Sequence, residues 1–126
     1  MHNNDLPAVV QHMNLLFDFY GSLLTDKQAA CFTMRYVHDY SLTEIAQELG
    51  STPQAIVDFI KRAIGSLERY EKHLGLVTKF QKQQPLVDKI SNNIIELECS
   101  RNLSKSEMKA VTRIGSAARE LEALFD

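Results

Sequence analysis

SLTEIAQELG at residues 41–50, running into STPQAIVDFIKRAIGSL at residues 51–67, decides the fold of this 126-residue chain. Leu42, Ile45, Ala46 and Leu49 recur at i, i+3, i+4 and i+7, which is one face of a short helix. Ile56, Phe59, Ile60, Ala63, Ile64 and Leu67 repeat that spacing over a longer one. Ser41 with Glu44 three residues on forms a capping box that starts the first helix. Gly50 suits the left-handed conformation that ends it, and Ser51-Thr52 supply a turn with an N-cap hydroxyl. Pro53 fits the first position of the second helix, where its missing N–H costs nothing.

A short helix, a tight turn with glycine and a longer helix make a helix-turn-helix, whose second helix lies in the major groove in DNA readers. The stretch resembles the helix-turn-helix of bacterial sigma-factor region four, whose turn is typically L-G-V-S and here reads Leu49-Gly50-Ser51-Thr52.

Outward toward the N-terminus, Thr25 and Gln28 form a second capping box, opening a helix with Ala30, Cys31, Met34 and Val37 inward that ends near His38-Asp39. Before it, Asp5 is expected to cap a helix from about Pro7 to Leu23 with Val9, Met13, Leu16, Phe17 and Tyr20 on one face; residues 1–6 are polar and expected to fray. Leu15 and Phe19 fall off that stripe, marking a helix that is wedged among others or contacts a partner, a central core helix being the favoured expectation. Outward toward the C-terminus, the recognition helix is expected to reach Gly75. A further helix starts at Leu76 with Val77 and Phe80 apolar, and Pro85 is expected to break or kink it before the pattern resumes through Val87, Ile90, Ile94 and Leu97. After a loop from Cys99 to Leu103, Ser104 and Glu107 open a last helix with Met108, Val111, Ile114, Ala118, Leu121 and Phe125 on one stripe. The expected fold is all-α: a helix-turn-helix head over residues 1–75 and an amphipathic helical arm over residues 76–126. The arm's stripes must fold back on the head or pair with a second chain, and a homodimer is the favoured expectation.

Composition bounds the function. No run approaches the ~20 apolar residues of a membrane span, and no basic-then-apolar signal peptide opens the chain. Cys31 and Cys99 are isolated, as expected of reduced cytoplasmic thiols. The net charge of −2 argues against a strong general nucleic-acid binder. Its distribution is uneven: residues 1–52 carry −4, residues 53–82 carry +3 and residues 83–126 carry −1.

With the recognition helix in a groove, Ser51, Thr52, Gln54, Ala55, Asp58, Lys61 and Arg62 would face outward, with Arg69 further along. The hydroxyls and first-turn N–H groups suit a phosphate, and Lys61 and Arg62 suit the backbone beyond it. Gln54 is the one residue of the kind that pairs bidentately with a base, adenine. Asp58 would face a negatively charged groove, so DNA binding is expected to be weak and of low specificity. Enzymatic chemistry finds no motif: G-x-G-x-x-G, the P-loop, G-x-S-x-G and H-E-x-x-H are all missing from the sequence. His2, His12, His38 and His73 are too scattered to suggest a metal site, and no cofactor is expected.

The run MNLLFDFYGSLLTDKQ from Met13 to Gln28, SLTEIA from Ser41, QAIVDFIKR from Gln54 and LERYEKHLGL from Leu67 together resemble the bacterial YlxM family over about residues 13–84. The resemblance implies a small cytosolic all-α protein with a sigma-region-four-like winding, described in that family as DNA-binding. It also implies a regulatory role in the signal-recognition-particle pathway, because the family's genes commonly neighbour that of the particle's GTPase. Where the family usually has S-R-Q-A at the start of the recognition helix, this chain has Thr52-Pro53-Gln54-Ala55. Two functions follow as expectations: a dimeric helix-turn-helix regulator that binds DNA, or an interaction module for the RNA or protein of the signal recognition particle.

Overall fold

The computed structural model describes residues 5–125, with side chains from residue 8. Most of the stretch expected to fray, with His2, lies outside the described residues, as does the side chain of Asp5. Among the described residues, six α-helices and one 3-10 turn follow in order: α1 Asp5–Tyr20, the turn Gly21–Leu23, α2 Asp26–Tyr36, α3 Leu42–Leu49, α4 Pro53–Leu74, α5 Leu76–Glu98 and α6 Lys105–Ala123. No strand occurs among the described residues, so the all-α expectation holds. The chain divides into two compact units at Val77/Thr78, inside α5.

In the first unit, local chemistry places each helix end. Thr25, Ser41 and Thr52 accept the N–H of Gln28, Glu44 and Ala55, and the first two close full capping boxes. Gly50 ends α3 at φ 63° and Gly75 ends α4 at φ 64°, where a side chain would be strained. Two neighbouring cores hold the unit together. One joins Leu16, Tyr20 and Leu24 to Phe32, Ala63, Leu67 and Val77. The other joins Cys31 to Ile45, Ala46, Ile56 and Ile60, tying the helix-turn-helix to α2. Burial pushes the Cys31 thiol up from its ordinary value, against a smaller opposing effect of Lys27, so it stays an unreactive core group.

Tyr20 is more than a member of an apolar stripe. Its hydroxyl donates to Glu71 Oε1 at 2.6 Å and accepts the N–H of Leu76 at 3.0 Å, while Glu71 Oε1 also accepts the N–H of Val77 at 3.0 Å. One phenol from α1 and one carboxylate from the last turn of α4 thereby satisfy the opening N–H groups of α5, which no Ser, Thr or Asp is placed to cap. Burial first, and the Glu71 hydrogen bond second, raise the Tyr20 pKa.

Several expectations need correction. The first α-helix begins at Asp5 and ends at Tyr20, and its expected last turn is the 3-10 turn Gly21–Leu23. There the ring of Phe17 lies 3.0 Å from where a Cβ on Gly21 would sit. Val9 is 52% exposed, because the core begins a turn later, around Met13 and Leu16. Val37 is 56% exposed, because α2 stops at Tyr36 and Val37 is its C-cap. Phe32 takes the inward role instead, fully buried and stacked on Phe17 at 4.7 Å between ring centroids. Pro85 does not break α5, which runs on to Glu98. The proline is exposed, and so is Gln81, whose carbonyl loses its helical partner on the solvent side, where the loss costs least.

The second unit is an antiparallel hairpin of α5 and α6. Its contacts pair Phe80 with Phe125 (4.9 Å between centroids), Ser91 with Glu122 (2.7 Å) and Ile94 with Gly115. Gly115 is buried, and a Cβ there would sit 3.0 Å from Ile94 Cγ2, so the helices cross where one of them has no side chain. Val87, Ile94, Val111 and Ala118 are the buried apolar side chains. Leu86, Ile90 and Leu97 of α5 and Ile114, Leu121 and Leu124 beside or on α6 remain exposed.

Candidate nucleic-acid interface

The turn of the helix-turn-helix is built as its residues dictate. The N–H groups of Gly50 and Ser51 both return to Ala46 O, closing α3 in a Schellman-type arrangement, and Thr52 then opens α4 with Pro53 first. Ile45 and Ala46 from α3 and Ile56 and Ile60 from α4 lock the two helices at their inner faces. Behind them, Lys27 Nζ sits 5.1 Å from the ring centre of Phe59, a cation–π contact from α2 to α4. The turn before α3 is held as well: Asp39 takes a left-handed φ of 57°, and Arg35 donates to the carbonyl of Tyr40 at 3.0 Å.

On the outer face, Thr52, Gln54, Asp58, Lys61, Arg62 and Arg69 are exposed, while Ser51 and Ala55 are half-buried. Gln54, Asp58 and Lys61 follow one another at helical spacing, so one surface of α4 presents them together. The polar groups are partly committed within the chain. Thr52 Oγ1 accepts the N–H of Ala55 at 3.2 Å, so its oxygen is committed to the first turn while its O–H remains a donor for a phosphate. Arg62 pairs with Asp58 at 3.1 Å, and Arg69 donates to Ser66 Oγ at 3.2 Å. Lys61, by contrast, forms no ion pair with the carboxylates of the described residues. An exposed pair like Asp58–Arg62 contributes at most about 1 kcal/mol, so a phosphate can compete for the guanidinium. Glu44 and Glu48 are the exposed charged groups of α3, and its Ser41 partner lowers the Glu44 pKa through backbone and side-chain hydrogen bonds. Sequence spacing finds the outward face, but the Asp58–Arg62 pair and the commitment of Thr52 emerge only with side chains in place.

Among the described residues no three His, Cys, Asp or Glu side chains gather as a metal site, and no helix is long and apolar enough to cross a membrane.

A capped short helix, a glycine turn and a longer helix with a polar outer face define a helix-turn-helix protein. The family model described as "Putative helix-turn-helix protein, YlxM / p13 like" matches residues 9–107. A UPF0122 protein of Thermoanaerobacter sp. (strain X514) is 45% identical over 112 residues, 89% of this chain and 92% of that relative. One from Caldanaerobacter subterraneus subsp. tengcongensis is 51% identical over 82 residues, 65% and 70% of the two chains. One from Bacillus cereus (strain AH187) is 44% identical over 102 residues, 81% and 93%. The chain belongs to the UPF0122 (YlxM / p13-like) family.

Proposed function

We propose that this protein is a dimeric helix-turn-helix regulator that binds nucleic acid weakly and with low specificity, and that it acts in the signal-recognition-particle pathway of the cytoplasm. The observation that carries the reading is the turn Gly50–Pro53, which holds α4 against α3 with Gln54, Asp58, Lys61 and Arg62 exposed along one surface. Phosphate contacts would come from Lys61, Arg62 and Arg69, with the Ser51 and Thr52 hydroxyls at the helix start. Ala55 would sit against the groove wall, and Gln54 would supply what base reading there is. With so few cations, the salt dependence of this surface should be shallow, a slope of about 2–4. The pathway assignment rests on the YlxM resemblance.

A second reading has its own support in the Asp58–Arg62 pair and the acidic α3, which lower the positive potential of the face. On that reading the face binds a protein or structured RNA of the signal recognition particle. Fluorescence anisotropy on random duplex DNA, the particle's RNA and its GTPase, at low and physiological salt, separates the two. Under the regulator reading, duplex binding falls with salt, and Lys61→Ala with Arg62→Ala weakens it about tenfold or more. Unchanged affinity in that variant overturns the proposed face, and salt-resistant binding to a particle component favours the second reading.

A further inference from the structure

The −1 charge of residues 83–126 conceals a strong alternation. Residues 83–100 carry −2, residues 101–119 carry +4 with five Lys/Arg against one Asp/Glu, and residues 120–126 carry −3. The positive block covers the residues leading into α6 and most of that helix. Lys105, Lys109 and Arg113 recur at i, i+4 and i+8, so they line one face of α6, and all three are exposed, as is Arg101 just before the helix.

The acid within this block is removed from the row. Glu107 accepts the N–H of Ser104 at 2.9 Å in the capping box, which turns its carboxylate back over the helix end. Lys105, Lys109 and Arg113 form no salt bridge with the chain's own carboxylates among the described residues. The row is not the hairpin's packing face: α6 buries Val111, Gly115 and Ala118, and between Lys109 and Arg113 lies only a shallow depression with Met108 and Thr112. Thr112 is exposed as well, and its hydroxyl donates to Met108 O of its own helix at 2.9 Å.

We propose that this row is a phosphate-backbone-binding ridge for double-stranded nucleic acid, separate from the helix-turn-helix. An α-helix advances about 6 Å in four residues, so Lys105 to Arg113 spans about 12 Å. One strand of a duplex advances about 3.4 Å per phosphate along the axis while winding around it, so neighbouring phosphates lie further apart than that rise and the three charges match about three of them. Fixed on one rigid helix, the three charges suit a regular backbone. The face presents no aromatic side chain on which unpaired bases would stack, which sets it apart from single-strand binders. Its contacts are therefore sequence-independent, and the DNA and RNA forms of a duplex share the chemistry that binds it.

The ridge does not rest on the function proposed for α4, and one experiment tests both. The full-length protein is titrated by anisotropy with matched duplexes of DNA and of RNA, a single strand and anionic lipid vesicles, at several salt concentrations. The proteins are the wild type, Lys105→Gln/Lys109→Gln/Arg113→Gln, and Lys61→Ala/Arg62→Ala. The substituted ridge residues are exposed, and unchanged circular dichroism and melting confirm that each variant is folded. The ridge variant should lose about tenfold or more in duplex affinity, with the salt slope falling by about 2.7 if each charge meets one phosphate. The DNA and RNA arms show which duplex it favours. Duplex binding by the ridge variant that matches the wild type overturns the proposal, as does loss confined to single strands or vesicles. If the ridge variant fails and the α4 variant does not, the ridge stands and the α4 face falls; with the opposite result the α4 face stands and the ridge falls.

Discussion

α4 and α5 have nearly the same length, 22 and 23 residues, but use their apolar side chains differently. α4 packs Ile56, Ile60, Ala63 and Leu67 against α1, α2 and α3 inside its own unit and leaves Leu74, in its last turn, exposed. Beyond Val77, α5 buries Val87 and Ile94 and leaves Leu86, Ile90, Ile95 and Leu97 exposed. Each such side chain forgoes up to about 1.5–3 kcal/mol of burial. In the first unit the exposed apolar side chains, Val9, Leu23, Val37, Leu74 and Leu76, lie at or near helix ends, whereas the hairpin exposes Leu86, Ile90, Ile95, Leu97, Ile114 and Leu121 along its two helices, the physical ground for proposing a dimer through it.

The largest expected effect breaks that contrast directly. If a second copy covers the hairpin, Ile114→Glu with Leu121→Glu should convert a dimer into a folded monomer in sedimentation velocity; a monomeric wild type would remove the dimer from the proposed function. Next in size is Tyr20→Phe in the first unit. It removes the partner of a part-buried Leu76 N–H and one partner of Glu71, and should cost about 1–3 kcal/mol in urea denaturation. It should also change the alkaline limb. With the folded pKa of Tyr20 above the ordinary 10.0, its contribution is complete below pH 10 and is lost as pH rises through the folded value. The variant should lack that part of the decline, and a variant that keeps it whole would assign the decline to other groups.

The smallest effect comes from two helix-interior glycines, one per unit. Nothing lies within 4 Å of a Cβ built on Gly65, so Gly65→Ala should stabilise by about 0.5–1 kcal/mol. On Gly115 the added Cβ meets Ile94 Cγ2 at 3.0 Å. Gly115→Ala should therefore fail to gain that increment, and thermal melts of the pair expose the difference.

Residues that act on near neighbours were legible in the sequence. Thr25/Gln28, Ser41/Glu44 and Ser104/Glu107 announce their capping boxes by spacing, and Gly50, Gly75 and Pro53 mark helix ends through backbone restrictions of their own. What escaped depends on distant partners. Tyr20 and Glu71 are 51 residues apart, and nothing in a helical stripe of Leu16, Phe17 and Tyr20 marks a phenol that caps another helix. The inward turn of Phe32 follows from its stack on Phe17, again a tertiary fact. On the candidate face, spacing gave the outward positions, but whether Arg62 is free or paired depends on side-chain geometry. The α6 row was written plainly at i, i+4 and i+8, and was hidden by adding its charge to that of its acidic neighbours.

The Tyr20–Glu71 hydrogen bonds also set where the chain can be cut. Gly75 invites truncation, since it closes α4, yet the amides that satisfy Tyr20 and Glu71 belong to Leu76 and Val77. Val77 is also a buried member of the core around Tyr20 and Phe32. A fragment stopped at Gly75 would keep the Tyr20–Glu71 hydrogen bond but lose the two amides that this pair accepts, and would open a hole in that core. The smallest self-sufficient head therefore owns the first turn of a helix whose remainder belongs to the other unit, and trimming the chain for expression or crystallography must respect that shared ownership.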